Sequence, residues 1–222
     1  MSSKQSLYYD FAYCLSHYFE GKVQKISIHA GFTCPNRDGS KGTGGCTYCN
    51  NQTFNPDYCN PQHGIRHQLE EGISFFARKY PQMRYLAYFQ AYTNTYGELS
   101  QLMAMYEEAL EVKGVVGLVI GTRPDCMPDT LLDYIEELSH RTFVMVEYGI
   151  ESANDDTLMR INRGHDFATT ADAIRRTHER GILVGGHLIL GLPGEDHAEL
   201  MRQAITIASL PLDMVKLHQL QL

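Results

Sequence analysis

The chain has 222 residues, 43% hydrophobic and 20% charged, with a formal net charge of −7. That composition supports a packed core and excludes global disorder. No apolar run approaches the roughly 20 residues of a membrane helix, and the acidic balance disfavours a protein that lives on phosphate contacts. Six cysteines, three of them crowded into one loop, lack the density of a disulfide scaffold and point to a reducing, cytoplasmic setting. The N-terminal stretch Met1-Ser2-Ser3-Lys4-Gln5 runs into an aromatic segment containing Asp10 and does not read as a signal peptide.

In chain order, Leu7, Phe11, Cys14, Leu15 and Tyr18 recur at helical spacing and predict a helix over 6–20. Strands and helices then alternate. Strands are expected at 25–30, 84–90, 115–121, 142–149, 182–190 and 213–220. They are mostly apolar on both faces, as in Val115-Val116-Gly117-Leu118-Val119-Ile120, which is how buried parallel strands read. Helices are expected at 66–80, 98–112, 128–140, 168–180 and 195–208. In 98–112, Leu99, Leu102, Met103, Tyr106, Ala109 and Leu110 form one stripe. Asp129-Thr130 after Pro128 and Glu195-Asp196 after Gly194 are helix starts, and Gly181 is a helix stop. The resulting β(αβ)5 order predicts an α/β fold with a parallel sheet inside and helices outside. Residues 1–24 read as an N-terminal helical extension and 25–222 as one core domain. Strand six has no covering helix behind it. A parallel strand needs both faces buried, so a further C-terminal segment or a partner chain is expected to cover it.

In such folds chemistry gathers at the carboxyl ends of strands. Strand one is followed by Cys34-Pro35-Asn36-Arg37-Asp38-Gly39 and by Gly44-Gly45-Cys46-Thr47-Tyr48-Cys49, a C-x11-C-x2-C spacing. Three thiolates can hold three irons of a cubane and leave the fourth open to a non-protein ligand. The same residues also suit a structural zinc knuckle, with Cys59 or His63 as fourth ligand. A redox pair at Cys46 and Cys49 is the third reading. The loop alone leaves all three open.

The other strand ends carry Gln90-Ala91-Tyr92-Thr93, Gly121-Thr122-Arg123-Pro124-Asp125, Glu147-Tyr148-Gly149-Ile150-Glu151-Ser152, and His187 followed by Gly191-Leu192-Pro193-Gly194-Glu195. With the cysteine loop and Asn162-Arg163-Gly164 in the crossover after strand four, they make the chain resemble the radical SAM superfamily along nearly its whole length. Within it the chain is similar to the YhcC/YtqA group, whose core resembles that of the Elongator catalytic subunit. The long first cysteine spacing, with Pro-Asn-Arg-Asp-Gly and a Gly-Gly inside it, fits that group.

The resemblance implies a partial (βα)6 TIM-type barrel, a radical SAM core. It implies a 4Fe-4S cluster on Cys34, Cys46 and Cys49, with S-adenosylmethionine on the open iron. One-electron cleavage of that cofactor gives a 5′-deoxyadenosyl radical for hydrogen abstraction. The electron would come from a flavodoxin- or ferredoxin-like reductant. Cofactor contacts carried over are Tyr48 beside the adenine, Gln90 to Thr93 near the methionine amine, Glu151 on the ribose, Arg163 on the carboxylate, His187 near the nucleoside and Leu192 in the adenine wall. Gln90-Ala91-Tyr92 replaces a segment that is commonly glycine-rich in relatives. Arg123 and Glu147 are expected at the barrel mouth, touching cofactor or substrate or pairing with each other. Each has a plainer role open to it: Tyr48 as a loop aromatic, Arg163 as a solvated helix charge, His187 as a hydrogen-bonded strand histidine. Cys14, Cys59 and Cys126 read as incidental thiols. The substrate is not legible. The Elongator resemblance admits RNA, and the acidic charge argues against it. A zinc-stabilised, non-catalytic binding module is the competing class.

Overall fold

The computed structural model describes residues 8–50 and 56–221. Six strands form one sheet: β1 Val23–Ile28, β2 Arg84–Phe89, β3 Val115–Thr122, β4 Phe143–Glu151, β5 Leu183–Leu190 and β6 Met214–Gln219. Their spatial order is their chain order, and every pairing is parallel. Each strand therefore returns beside its predecessor through a crossover. Crossovers of one hand place the helices on one face, and the twisted sheet curls into the expected half-barrel. The helices are α1 Phe11–Leu15, α2 Ile65–Ala77, α3 Leu99–Leu110, α4 Asp129–Ser139, α5 Asp155–Arg160, α6 Phe167–Glu179 and α7 His197–Ala208. Among the described residues, no helix is long and apolar enough to cross a membrane.

Two elements depart from expectation. The helix predicted over 6–20 is only Phe11–Leu15 in the described part, with residues 1–7 outside it. Its end tightens through i→i−3 bonds, His17 N–H to Cys14 O and Tyr18 N–H to Leu15 O, and Gly21 at φ +83° turns the chain into β1. The short helix α5 was not anticipated. Its signal is local: Asn154 accepts from the amides of Asp156 and Thr157, and Asp155 and Asp156 occupy the first turn.

The period of two decides which side chains face which layer. Along β2, Tyr85, Ala87 and Phe89 join the core under the helices, with Leu69, Leu102, Tyr106, Leu131 and Ile174. Leu86 and Tyr88 point the other way, into the barrel, beside Val119, Phe143, Met145 and Leu15 of α1. Phe11, Phe19, Val23, Val116, Leu183 and Met214 complete this inner cluster. Most of its strand members stand at strand beginnings, so α1 and the turn after it plug the amino-terminal end of the barrel.

A polar layer lies on this plug. Tyr88 Oη donates to Glu147 Oε1 at 2.6 Å. Lys25 Nζ donates to Oε2 at 3.2 Å and Lys216 Nζ to Oε1 at 3.2 Å. Lys216 also lies 3.1 Å from the Tyr88 hydroxyl. One buried carboxylate thus ties β1, β2, β4 and β6 together. Pairing between Glu147 and Arg123, one of the roles left open to them, is not formed: Glu147 pairs with Lys25 and Lys216, and Arg123 with Asp125. Both lysines belong to strands, where a polar residue at alternate positions marks an inward face. β6 has the least cover: Val215 and Leu217 on its outer side are 48% and 58% exposed.

Burial alone would raise the Glu147 pKa, but the Lys25 and Lys216 ammoniums and the Tyr88 hydroxyl outweigh it and bring the carboxyl down to about 2. Burial pushes Lys25 down, so part of the gain is returned at the lysine. A depressed carboxyl stabilises the fold above its unfolded value of about 4.3, and that stabilisation is lost as pH falls toward the folded value. Glu147→Gln leaves two ammoniums without their counter-charge and is expected to cost about 3 kcal/mol at neutral pH. In urea denaturation the gap between variant and wild type should close as the pH drops through about 4 toward 2. A gap that stays constant with pH would show that the carboxylate charge is not its source.

Candidate active site

The cysteine loop leaves the carboxyl end of β1 and is folded by its own backbone. Cys34 O accepts from the amides of Arg37 and Asp38 at 2.8 and 3.2 Å, and Asn36 O accepts from Gly45 N–H at 2.9 Å. Gly44 and Gly45 both have φ +81°. A Cβ at Gly45 would stand 2.8 Å from Arg37 Nε, so glycine serves there for space as well as for conformation. The Cys49 amide donates to Cys46 O at 3.0 Å and closes the C-x2-C turn.

A second segment locks onto this loop. Asn36 is 1% exposed. Its amide Nδ2 donates to the carbonyls of Asn162 and Arg163 at 2.6 and 2.9 Å and lies 3.6 Å from Cys46 Sγ. Asn162, itself at φ 56°, returns a bond to Gly45 O at 2.8 Å. A Cβ on Gly164 would sit 2.5 Å from Asn36 Oδ1. The tripeptide after α5 is therefore shaped to carry the cysteine loop.

An arginine stands beside each cysteine. Arg123 Nη1 is 3.9 Å from Cys34 Sγ, and its Nε and Nη2 donate to Asp125 at 2.9 and 3.0 Å. Arg163 Nη1 is 3.9 Å from Cys46 Sγ and 3.3 Å from the Tyr48 hydroxyl. Arg37 Nη2 donates to Cys49 O at 3.0 Å. Arg123 also donates to Arg163 O at 2.7 Å. Burial pushes the Cys49 thiol up, against the opposing pull of Arg37. Burial penalises the charge on Arg163, but Tyr48, Glu151 and Cys46 more than offset this and hold the guanidinium ionised. Burial likewise works against the Asp125 charge, yet Arg123 and Lys41 hold its carboxyl well below the usual range.

The loop roofs a cavity of about 340 Å³ at the carboxyl ends of the strands. Its lining includes Cys34, Cys46, Cys49, Tyr48, Gln90, Thr93, Glu151, Arg163 and His187, with the Glu147–Lys216–Tyr88 layer as floor. Glu151 ends β4 where the register shifts after Gly149, and it adopts φ 65°. A left-handed glutamate is uncommon, and such strain collects at functional sites. Its Oε1 lies 3.7 Å from Arg163 Nη2 and its Oε2 3.4 Å from His187 Nδ1. A Cβ at Gly149 would meet Glu151 Oε1 at 2.4 Å, so that glycine clears room for the carboxylate. Tyr92, at φ 62°, keeps a left-handed conformation that suits glycine.

Nine of the ten residues singled out in the sequence therefore line one cavity. Leu192 stands one layer back, packed with Leu158, Ile161 and Ile189 and touching the cluster that includes Tyr48. Cys59 is buried, and burial pushes its thiol up to about 11. His63 groups instead with His67 and Glu71. Sequence reasoning missed the roles of Asn36 and Arg37, noted only as part of the long cysteine spacing, and of Lys25, Tyr88 and Lys216. The cavity lining holds Arg37, Arg123, Arg163 and Lys216 against Glu147 and Glu151, four cationic groups against two carboxylates, within a chain of net charge −7.

The chain has relatives among known proteins. The chain is 43% identical over 209 residues to the YhcC protein of Escherichia coli K12, covering 94% of this chain and 66% of that protein. It is 37% identical over 230 residues to the YtqA protein of Bacillus subtilis 168, covering 100% of this chain and 69% of that one. The chain thus spans about two thirds of the length of these curated relatives. The structure of archaeal Elp3 from Methanocaldococcus infernus, lacking its N-terminus, superposes with a TM-score of 0.60 at 19% identity over 90% of this chain and 46% of that one. The radical SAM family model matches residues 34–203, from the first loop cysteine into α7, and the chain belongs to the radical SAM superfamily.

Proposed function

We propose that this chain is the catalytic core of a radical SAM enzyme, with Cys34, Cys46 and Cys49 holding a 4Fe-4S cluster through three of its irons. The observation that carries the reading is a single loop with three cysteines, each beside an arginine, opening on a cavity lined by Glu151, Arg163, His187 and Thr93.

Among the described residues, five buried polar atoms of the lining lack a hydrogen-bond partner: Arg37 Nε, Thr93 Oγ1, Glu151 Oε2, Arg163 Nε and His187 Nε2. Unpaired buried polar groups are costly and call for a ligand. Their chemistry fits S-adenosylmethionine: a carboxylate for the ribose hydroxyls, a guanidinium for the amino-acid carboxylate, and an imidazole and a hydroxyl for the nucleoside and amine. Tyr48, pinned by Arg163 and backed by Leu192, would flank the adenine. Gln90 is oriented by Ser27 Oγ at 3.0 Å. When bound, the cluster and cofactor supply one-electron cleavage to methionine and a 5′-deoxyadenosyl radical. The chain itself binds, orients and shields. Its closed floor keeps solvent from one side, and its arginines offset the negative charge of the thiolates. A one-electron donor of the flavodoxin or ferredoxin class would be the redox partner. The exposed outer face of β6 supports a covering segment or partner chain in the assembly that turns over substrate.

Anaerobically reconstituted protein should carry about four irons per chain, as one cubane requires, and show thiolate-to-iron absorption. Changing Cys34, Cys46 or Cys49 to Ala should abolish both. Stoichiometric zinc without visible absorption after reconstitution would overturn the assignment. Arg163→Lys should weaken S-adenosylmethionine binding about tenfold, near 1.4 kcal/mol by calorimetry, because a point charge replaces the fork. Wild-type affinity in that variant would displace Arg163 from the proposed carboxylate contact.

A further inference from the structure

Outside the cavity, among the described residues, one group of side chains is arranged to ligate. His63, His67 and Glu71 each offer a donor atom, and the three atoms lie within 4.8 Å of one another. His67 and Glu71 are four residues apart on α2, and His63 stands four residues before His67, just ahead of the Gly64 cap. Spacing by four places side chains one above another on a helix face. The His63 and His67 rings meet edge to face with centroids 4.6 Å apart. His67 Nε2 and Glu71 Oε1 are 3.5 Å apart, close to the roughly 3.4 Å edge of a tetrahedron built on bonds near 2.1 Å.

From this geometry we infer a second metal site, in which two imidazoles and one carboxylate on the exposed face of α2 bind a single divalent transition ion of the zinc class. All three donors are exposed, so the ion keeps water in its remaining positions, the pattern of an open rather than a closed zinc site. The donor set is nitrogen and oxygen, without thiolate, which separates it from the cysteine loop. Cobalt, nickel, copper and zinc suit such donors, and copper binds tightest in the general order of affinity.

The backbone under the site is already fixed. Gln68 is fully buried. Its Nε2 donates to His63 O at 2.8 Å and to His29 O at 3.0 Å, and its Oε1 accepts from His29 N–H at 2.9 Å. One side chain thus clamps the peptide that carries the first ligand to the exit of β1, five residues before Cys34. The His29 ring in turn meets Tyr92 of the cavity lining at 5.5 Å between centroids. Little backbone order remains to be gained on binding, which favours affinity. An ion held across residues 63, 67 and 71 would staple the segment ahead of α2 onto its helix. Gln68 links that segment to the stem of the cysteine loop.

The test uses the full chain and zinc ion as the probe. Equilibrium dialysis of cluster-loaded protein should find one zinc per chain beyond the iron. His67→Ala should weaken that binding at least tenfold, and His63→Ala similarly. Zinc should raise the melting temperature of wild type and not that of His67→Ala. In imidazole-detected NMR, zinc should shift two of the ten histidines, and these should be the signals altered by the two alanine variants. Untagged protein should be retained on immobilised nickel, and His67→Ala should pass through. Equal zinc affinity in wild type and both alanine variants, or no histidine shift at saturating zinc, would overturn the site. Cobalt substitution keeps this outcome separate from that of the cluster. A cobalt signal with thiolate charge transfer reports the cysteines, whereas binding without it, and lost in His67→Ala, reports α2 whatever the cysteines hold.

Discussion

The structure turns on the docking of Asn162-Arg163-Gly164 against the cysteine loop. Asn36 spends its amide on two carbonyls of that tripeptide, and Asn162 answers with a bond to Gly45. Neither segment has secondary structure of its own to hold it. Each satisfies the other's backbone, which is the condition for a loop to be buried without penalty. The dock also sets the position of Arg163. With its main chain held by Asn36 and Arg123, its guanidinium reaches Gly149, Tyr48 and Cys46 in one conformation. A long, rotamer-rich side chain becomes a fixed feature of the site, and its entropy is lost at folding rather than at binding.

Beneath it, the barrel interior changes character from one end to the other. At the strand beginnings it is apolar and sealed by α1. Midway it is ionic, built on Glu147 with Lys25, Lys216 and Tyr88. At the strand ends it is polar and unfinished, with donors and acceptors lacking partners. This order follows from the pleat. Alternate residues of the strands point inward, and those near the carboxyl ends are the ones free of the plug. The ionic layer is a costly way to fill a barrel. It joins β6, the least covered strand, to β1 across the open side through a carboxylate on β4.

The electrostatics of the cavity run against those of the whole chain. A surplus of acidic residues elsewhere coexists with arginines grouped around three cysteines. Net charge speaks to solubility and long-range steering, not to a site. The local cationic field suits thiolates and an anionic ligand group, and Asp125 shares out part of it by holding Arg123 and Lys41.

Much of this was written in local pattern. The β(αβ)5 alternation, the strand spans to within about two residues, the caps at Asp196 and the stop at Gly181 follow from hydrophobic period and turn chemistry, which act over a few residues. The loop cysteines and the polar strand ends were legible for the same reason, because parallel topology puts strand ends at one rim. What the sequence could not state is which distant groups share a contact. Asn36 and Arg37 are only part of the long cysteine spacing until Asn162 and Cys49 are brought to them. Lys25 and Lys216 look like surface charges until β1 and β6 curl round to a common carboxylate. Glu147 and Arg123 were candidates to pair with each other, and each found a different partner. The left-handed backbone at Glu151 and the retreat of Leu192 behind Tyr48 also belong to the assembled barrel. Local chemistry chose the elements and their order. Packing, which joins residues more than a hundred positions apart, decided which charges meet and which polar atoms were left without a partner.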